Sequence, residues 1–133
     1  MVLRMIQQAA LLLRAVFNSL PLEDFKSEDE LQAMGKKLSE DNFIQLDDFI
    51  ALPNSKEAID FLLHTKAFDL NNIELLADIL FTASNKVKAI APKQAIAYQQ
   101  KALLLLNYLS QETKTFDWNR IQRIQQLEQI LSQ

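Results

Sequence analysis

The chain contains a single histidine, His64, which follows Asp60 by four residues. On a helix this spacing places both side chains on one face, where an imidazole and a carboxylate can form part of a metal site. A complete di-metal site in a helical bundle also needs Glu-x-x-His pairs from two helices, and no second histidine is present. The pair therefore predicts a surface histidine beside an acid, with metal or small-ligand binding near Asp60 and His64 as an alternative.

The other reactive side chains do not form patterns that are typical of catalysis. Adjacent acids at Asp47 and Asp48 point to different sides of a helix, which does not suit a general acid–base pair. A phosphate-binding loop needs several glycines, and Gly35 is the only one. Cysteine is absent, and no serine lies in a nucleophile-elbow pattern. We therefore predict no enzyme activity, no catalytic or metal-binding residues and no cofactor.

The composition predicts an all-α protein with a single domain, residues 1–133. A length of 133 residues suits one domain, and 49% apolar with 23% charged residues is typical of a globular chain. Sheet proteins of this size need glycine in their turns, so one glycine and three prolines favour helices. No apolar run approaches the length of a membrane span, and Arg14 interrupts the run near the N-terminus. We expect a cytoplasmic location.

Apolar residues at spacings of three and four predict about seven helices and no strand. Residues 1–20 hold an amphipathic helix, residues 27–68 hold short helices, and residues 71–131 hold a helix pair and a closing C-terminal helix. Ser27 with Glu30 predicts a capping box. Asp41 or Asn42 is expected to cap a short helix from residue 43 to 52, and Asp117 to cap the last helix.

The central pair, residues 71–109, resembles a tetratricopeptide repeat, which is a helix–turn–helix unit. Leu76, Ala77 and Leu80 are similar to the large–small–large pattern of the first helix of that repeat. Ala95 and Ala102, seven residues apart, resemble the two small positions of its second helix. The separation of Ala77 from Ala95 is longer than in the repeat. The chain therefore looks repeat-like and does not form an array.

Four further segments resemble a small, uncharacterised bacterial family of helical proteins whose C-terminal half is repeat-like. They are residues 3–6, 74–80, 101–109 and 113–124. The resemblance implies an all-helical architecture and implies no activity.

The N-terminal helix has an unusually broad apolar sector, because Leu11 lies on its otherwise polar side. This breadth predicts packing into a core or against a partner, with Leu11, Leu12 and Val16 as candidate contacts. The expected partner is an unidentified protein or a second copy of the chain. A peripheral membrane adaptor is the alternative, although Arg4 and Arg14 provide little attraction for anionic lipid, so a membrane partner is not expected.

The charge distribution is uneven along the chain. Residues 1–22 carry +2, residues 23–60 carry −7 and residues 61–133 carry +2, for a net charge of −3. An acidic middle between basic ends suggests either pairing within or between chains or a solvated acidic face. The net charge gives no general attraction for nucleic acid, and none is expected as a partner.

Three aromatic residues could either pack in the core or be exposed for interaction. Trp118, with Phe116 nearby, starts the last amphipathic helix and is predicted to be a core anchor, with an interaction hot spot as the alternative. Tyr98 and Tyr108 fall on opposite sides of one helix, so at least one of them is expected to be exposed.

Overall fold

The computed structural model describes residues 2–133, with side chains described from Arg4 onward. Met1 and the side chain of Leu3, which the sequence places on the apolar stripe of the first helix, lie outside this part. Residues 2–133 form seven α-helices and no strand, which confirms the all-α prediction. The helices are α1 (Val2–Ser19), α2 (Glu28–Ser39), α3 (Leu46–Ala51), α4 (Lys56–Asp60), α5 (Leu70–Val87), α6 (Pro92–Thr113) and α7 (Trp118–Leu131). A 3-10 turn (Glu40–Asn42) follows α2, and a π-helical turn (Phe61–Thr65) extends α4.

Several helices begin where the sequence signals predict. Asp117 caps α7, because its Oδ1 accepts a hydrogen bond from the Arg120 backbone N–H at 3.0 Å. Pro92 occupies the first turn of α6, where its missing N–H costs nothing. Ser27 precedes α2 as predicted, but its side chain makes no capping hydrogen bond. The Glu30 carboxylate accepts from the Lys26 backbone N–H at 3.3 Å, so the reciprocal capping box does not form.

The prediction that Asp41 or Asn42 caps a helix starting at residue 43 is wrong. Both residues have left-handed backbone conformations, with φ of 54° and 57°, which Asp and Asn tolerate better than most side chains. This reversal brings the backbone N–H of Ile44 to 2.8 Å from the Leu38 carbonyl oxygen, and Ile44 is fully buried. Helix α3 starts at Leu46, three residues later than predicted.

Helices α5 and α6 form the central hairpin, with residues 88–91 as their connection. Two ion pairs show the direction of α7 relative to α5. Arg120 contacts Glu74, and Arg123 contacts Asp78. In these pairs the residue number increases on α7 as it increases on α5, so α7 runs parallel to α5. Because α6 joins them through short connections, it runs antiparallel to both.

Helix α1 also runs parallel to α5. Near its start, the Ile6 carbonyl oxygen accepts from Asn72 Nδ2 at 3.1 Å. Beyond its end, the Leu22 carbonyl oxygen accepts from Lys86 Nζ at 3.0 Å. One hydrophobic cluster contains buried residues from all seven helices, so α1 is part of the same core as the central hairpin. Within the described residues, no helix has the length and apolarity that a bilayer crossing requires.

Candidate interaction surface

The structure separates the three residues predicted to contact a partner. The side chain of Leu11 is 66% exposed, Leu12 is half-buried, and Val16 is only 3% exposed. Val16 shares the inner face of α1 with Ala9 and Leu13, which are also buried in the core. A partner therefore cannot reach Val16 while α1 is packed, and the accessible candidates are Leu11 and Leu12.

Leu11 and Leu12 line a surface groove with a volume of about 560 Å³. One wall is α1, which also contributes Met5, and the other is formed by the segments around Phe43 and Lys66. Phe43 packs against the buried Phe68 with ring centroids 5.7 Å apart. Lys66 Nζ donates a hydrogen bond to the Asn42 carbonyl oxygen at 2.9 Å, which joins the two segments of this wall. We call this site the α1 groove.

Asp60 and His64 face each other on the helix surface, as their spacing predicts. His64 Nε2 lies 4.0 Å from Asp60 Oδ1, and the histidine is exposed. Over the described part of the chain, no three His, Asp or Glu side chains are grouped so that they could hold a metal ion. The pair thus supplies at most two ligands.

A cluster of charged side chains that the sequence pattern did not predict joins α5 to α7. Arg120 is buried, and its Nε and Nη2 donate to Glu74 Oε2 at 3.1 and 2.5 Å, while Nη1 donates to Thr113 Oγ1 at 3.1 Å. Arg123 forms a second ion pair with Asp78. Burial raises the pKa of Asp78, and the Arg123 guanidinium opposes this rise.

Because each of these two acids is paired with an arginine, the cluster is suited to holding α7 in place rather than to acid–base chemistry. The sequence could have indicated this cluster, because the spacing of the arginines on α7 matches the spacing of the acids on α5. Arginines three apart on one helix complement acids four apart on another, and both spacings define one helical face.

Lys101 is a second polar feature that the sequence pattern did not predict. Its side chain is 1% exposed, and Nζ donates to the Ile50 and Leu52 carbonyl oxygens at 3.2 and 2.5 Å and to Asn54 Oδ1 at 2.5 Å. Burial lowers the pKa of the Lys101 amine. No signal in the sequence could have located this site, because its acceptors are two backbone carbonyls and an amide 47 to 51 residues away.

The prediction that Trp118 anchors the core is wrong, because its side chain is 59% exposed. Arg120 occupies the buried position of this turn, and a residue two positions earlier lies on nearly the opposite side of a helix. The Trp118 ring stacks instead on the exposed ring of Phe116, with centroids 6.0 Å apart. Tyr98 is buried and Tyr108 is half-buried, so neither tyrosine is fully exposed.

Comparison of the chain with protein-family models, with curated proteins and with solved structures finds no match in any of the three. The inference about function therefore starts from the chain's own geometry. That geometry offers a partly apolar groove at α1 and, elsewhere, two buried cations, Lys101 and Arg120, each with polar partners.

Proposed function

We propose that this protein is a non-enzymatic protein-interaction module, and that the α1 groove receives apolar side chains of a protein partner. One observation carries the proposal. Leu11 and Met5 are 66% and 51% exposed within two turns of a helix whose opposite face is buried in the core. Large apolar side chains clustered beside a groove are typical of surfaces that a partner covers.

The rest of the fold supports this role, because the buried face of α1 packs into one core with the central hairpin. Ala77, Ala95 and Ala102, the small positions that resemble those of a tetratricopeptide repeat, are all buried in the hairpin. Small side chains at such positions let helices approach closely, which supports a repeat-like scaffold. In this proposal the hairpin is the scaffold and α1 is the element that contacts the partner.

Self-association is a second form of the same proposal, in which a second copy of the chain covers the α1 groove. A contact restricted to α1, which is about 27 Å long, is small compared with the roughly 1,200–2,000 Å² that stable interfaces bury. A dimer of this kind would therefore form only at high protein concentration. Sedimentation equilibrium over a range of concentrations distinguishes it from binding to another protein.

The test compares Leu11→Asp with Ile96→Asp, which places the same charge at another exposed apolar position. We expect the unmodified chain and Ile96→Asp to retain a stoichiometric partner after mild crosslinking, or to share one dimer dissociation constant. Leu11→Asp should lose that partner or dimer, because burial of an unpaired carboxylate in an apolar contact is energetically unfavourable. Partner binding that survives Leu11→Asp would contradict the proposal, as would a chain that stays monomeric and captures nothing.

The two alternative functions have less support from the geometry. A membrane adaptor would use the apolar stripe of α1, yet Leu13 and Val16 of that stripe are buried in the core. A metal site would need further ligands near Asp60 and His64, beyond the two that face each other there.

A further inference from the structure

A second groove lies between α4 with its π-helical turn and α6, and its volume is about 470 Å³. Its apolar floor is formed by Ile59, Leu63, Leu104 and Tyr108. We call it the α4–α6 groove. It shares no lining residue with the α1 groove. The π-helical turn Phe61–Thr65 contributes Leu63 to this floor, and π-helical turns are rare features that occur frequently at functional sites.

Two carboxylates stand on opposite walls of the α4–α6 groove. Asp60 belongs to α4 and Glu112 to α6, and both line the groove together with Tyr108. Burial of the Tyr108 phenol, and then the nearby Glu112 and Asp60 charges, raise the pKa of Tyr108. The negative charges of both walls thus act on this tyrosine.

These carboxylates differ from the acids of the α5–α7 cluster because they lack strong partners. Glu74 and Asp78 each contact an arginine. Among the described residues, the only ion-pair contact of Asp60 or Glu112 is the 4.0 Å approach of His64 to Asp60. Lys56 lines the same groove, so the lining has two carboxylates against one ammonium and carries one excess negative charge. Carboxylates that no arginine or lysine contacts among the described residues, beside an apolar floor, complement a ligand that is both apolar and cationic.

The groove length defines the size of that ligand. Its walls extend from Ser55 to Leu63 on one side and from Leu104 to Glu112 on the other. Nine residues of a helix span about 13 Å, which matches roughly two and a half turns of a bound helix. A segment of this length presents two or three apolar side chains at helical spacing and a basic side chain between them.

We propose that the α4–α6 groove binds a basic amphipathic helix of a protein partner. Apolar side chains of that helix pack on Ile59, Leu63 and Leu104. A lysine or arginine lies against the Tyr108 ring between Asp60 and Glu112, where it gains both ion pairing and a cation–π contact. The proposal adds a second docking surface, with a partner of defined charge, and does not depend on occupancy of the α1 groove.

The probe for this site is a fluorescein-labelled 14-residue peptide with leucines at helical spacing and arginines at its remaining positions. A matched peptide has glutamate in place of every arginine. We expect fluorescence anisotropy to show binding of the arginine peptide only, with weaker binding as salt rises. The double variant Asp60→Asn with Glu112→Gln should weaken it about tenfold, because both ion pairs are lost.

The matched control is Glu23→Gln with Asp24→Asn, which removes two exposed carboxylates outside the groove and should leave the affinity unchanged. All substitutions replace surface carboxylates by amides of similar size, so thermal unfolding should show unaltered folding. Equal binding of both peptides, or an unchanged affinity of the groove double variant, would overturn the proposal. Leu11→Asp should leave peptide binding intact. Loss of binding in Leu11→Asp would instead place the peptide in the α1 groove.

Discussion

At the scale of single residues, Lys101 joins α6 to the end of α3, and no carboxylate of the described residues pairs with it. Its ammonium group contacts three oxygens, two of which are carbonyls at the C-terminal end of α3. The negative end of a helix dipole favours a cation at this position. Nζ also lies 5.9 Å from the centre of the Phe49 ring. These contacts together offset the free energy that is lost when the ammonium leaves water.

Replacing Lys101 by methionine keeps most of the side-chain volume and removes all three donors. We expect the free energy of unfolding to fall by about 2–4 kcal/mol, because Ile50, Leu52 and Asn54 lose their hydrogen-bond donor. Urea unfolding followed by circular dichroism measures this change. Lys93→Met, at an exposed position of the same helix, should alter the free energy of unfolding by less than about 0.5 kcal/mol. Equal unfolding midpoints for the two variants would show that the buried contacts add nothing.

At the scale of helices, α7 depends on polar contacts more than the other long helices do. Arg120 and Leu127 are its buried residues, whereas α5 and α6 each bury eight or more. The buried guanidinium of Arg120 contacts Glu74 on α5 and Thr113 at the end of α6. Arg120 therefore fixes the position of α7 against both helices of the central hairpin.

Arg120→Met is expected to loosen α7 while α5 and α6 stay folded. Loss of the buried partner leaves Glu74 unpaired and should cost about 2–3 kcal/mol. Hydrogen exchange should then show faster exchange of the α7 amides than in the unmodified chain, with little change in the central hairpin. Arg14→Met, an exposed substitution on α1, is the control and should leave α7 protected. Uniform acceleration in every helix would argue against a local role for Arg120.

At the scale of the whole molecule, buried titratable side chains make the free energy of unfolding depend on pH in the alkaline range. Burial of the Tyr98 phenol, together with the Asp47 charge, raises the pKa of Tyr98 from 10.0 to about 12. Between these values the unfolded chain has released a proton that the folded chain still holds, so the free energy of unfolding falls as pH rises. The lowered pKa of Lys101 acts in the opposite direction, because the folded chain releases that proton first.

Tyr98→Phe isolates the tyrosine contribution. We expect similar stability of the two proteins at pH 8. At pH 11, relative to pH 8, the unmodified chain should have lost roughly 1–1.5 kcal/mol more than the variant, since each pKa unit corresponds to about 1.4 kcal/mol. Urea unfolding at pH 8, 10 and 11 follows this difference. Parallel loss of stability in both proteins would show that the phenol does not titrate differently on folding.

Much of the helical framework could be predicted from the sequence, because a helix is specified by neighbours three and four residues apart. Asp117 marks a helix start through its side-chain cap, and this prediction is confirmed. The exposure of Leu11 also agrees with its place on the polar side of α1. Local periodicity therefore determined the helices, their approximate boundaries and one residue of the candidate surface.

Tertiary packing decided which side of each helix is covered, and local spacing does not contain that information. It buried Val16, turned Trp118 toward solvent, and placed Arg120 in the buried position of the first turn of α7. It also brought Lys101 to acceptors about fifty residues away and assembled both grooves from segments that are distant in the sequence. The physical reason is that a helical period defines a face, whereas contacts between distant segments determine whether that face meets the core, a charged partner or water.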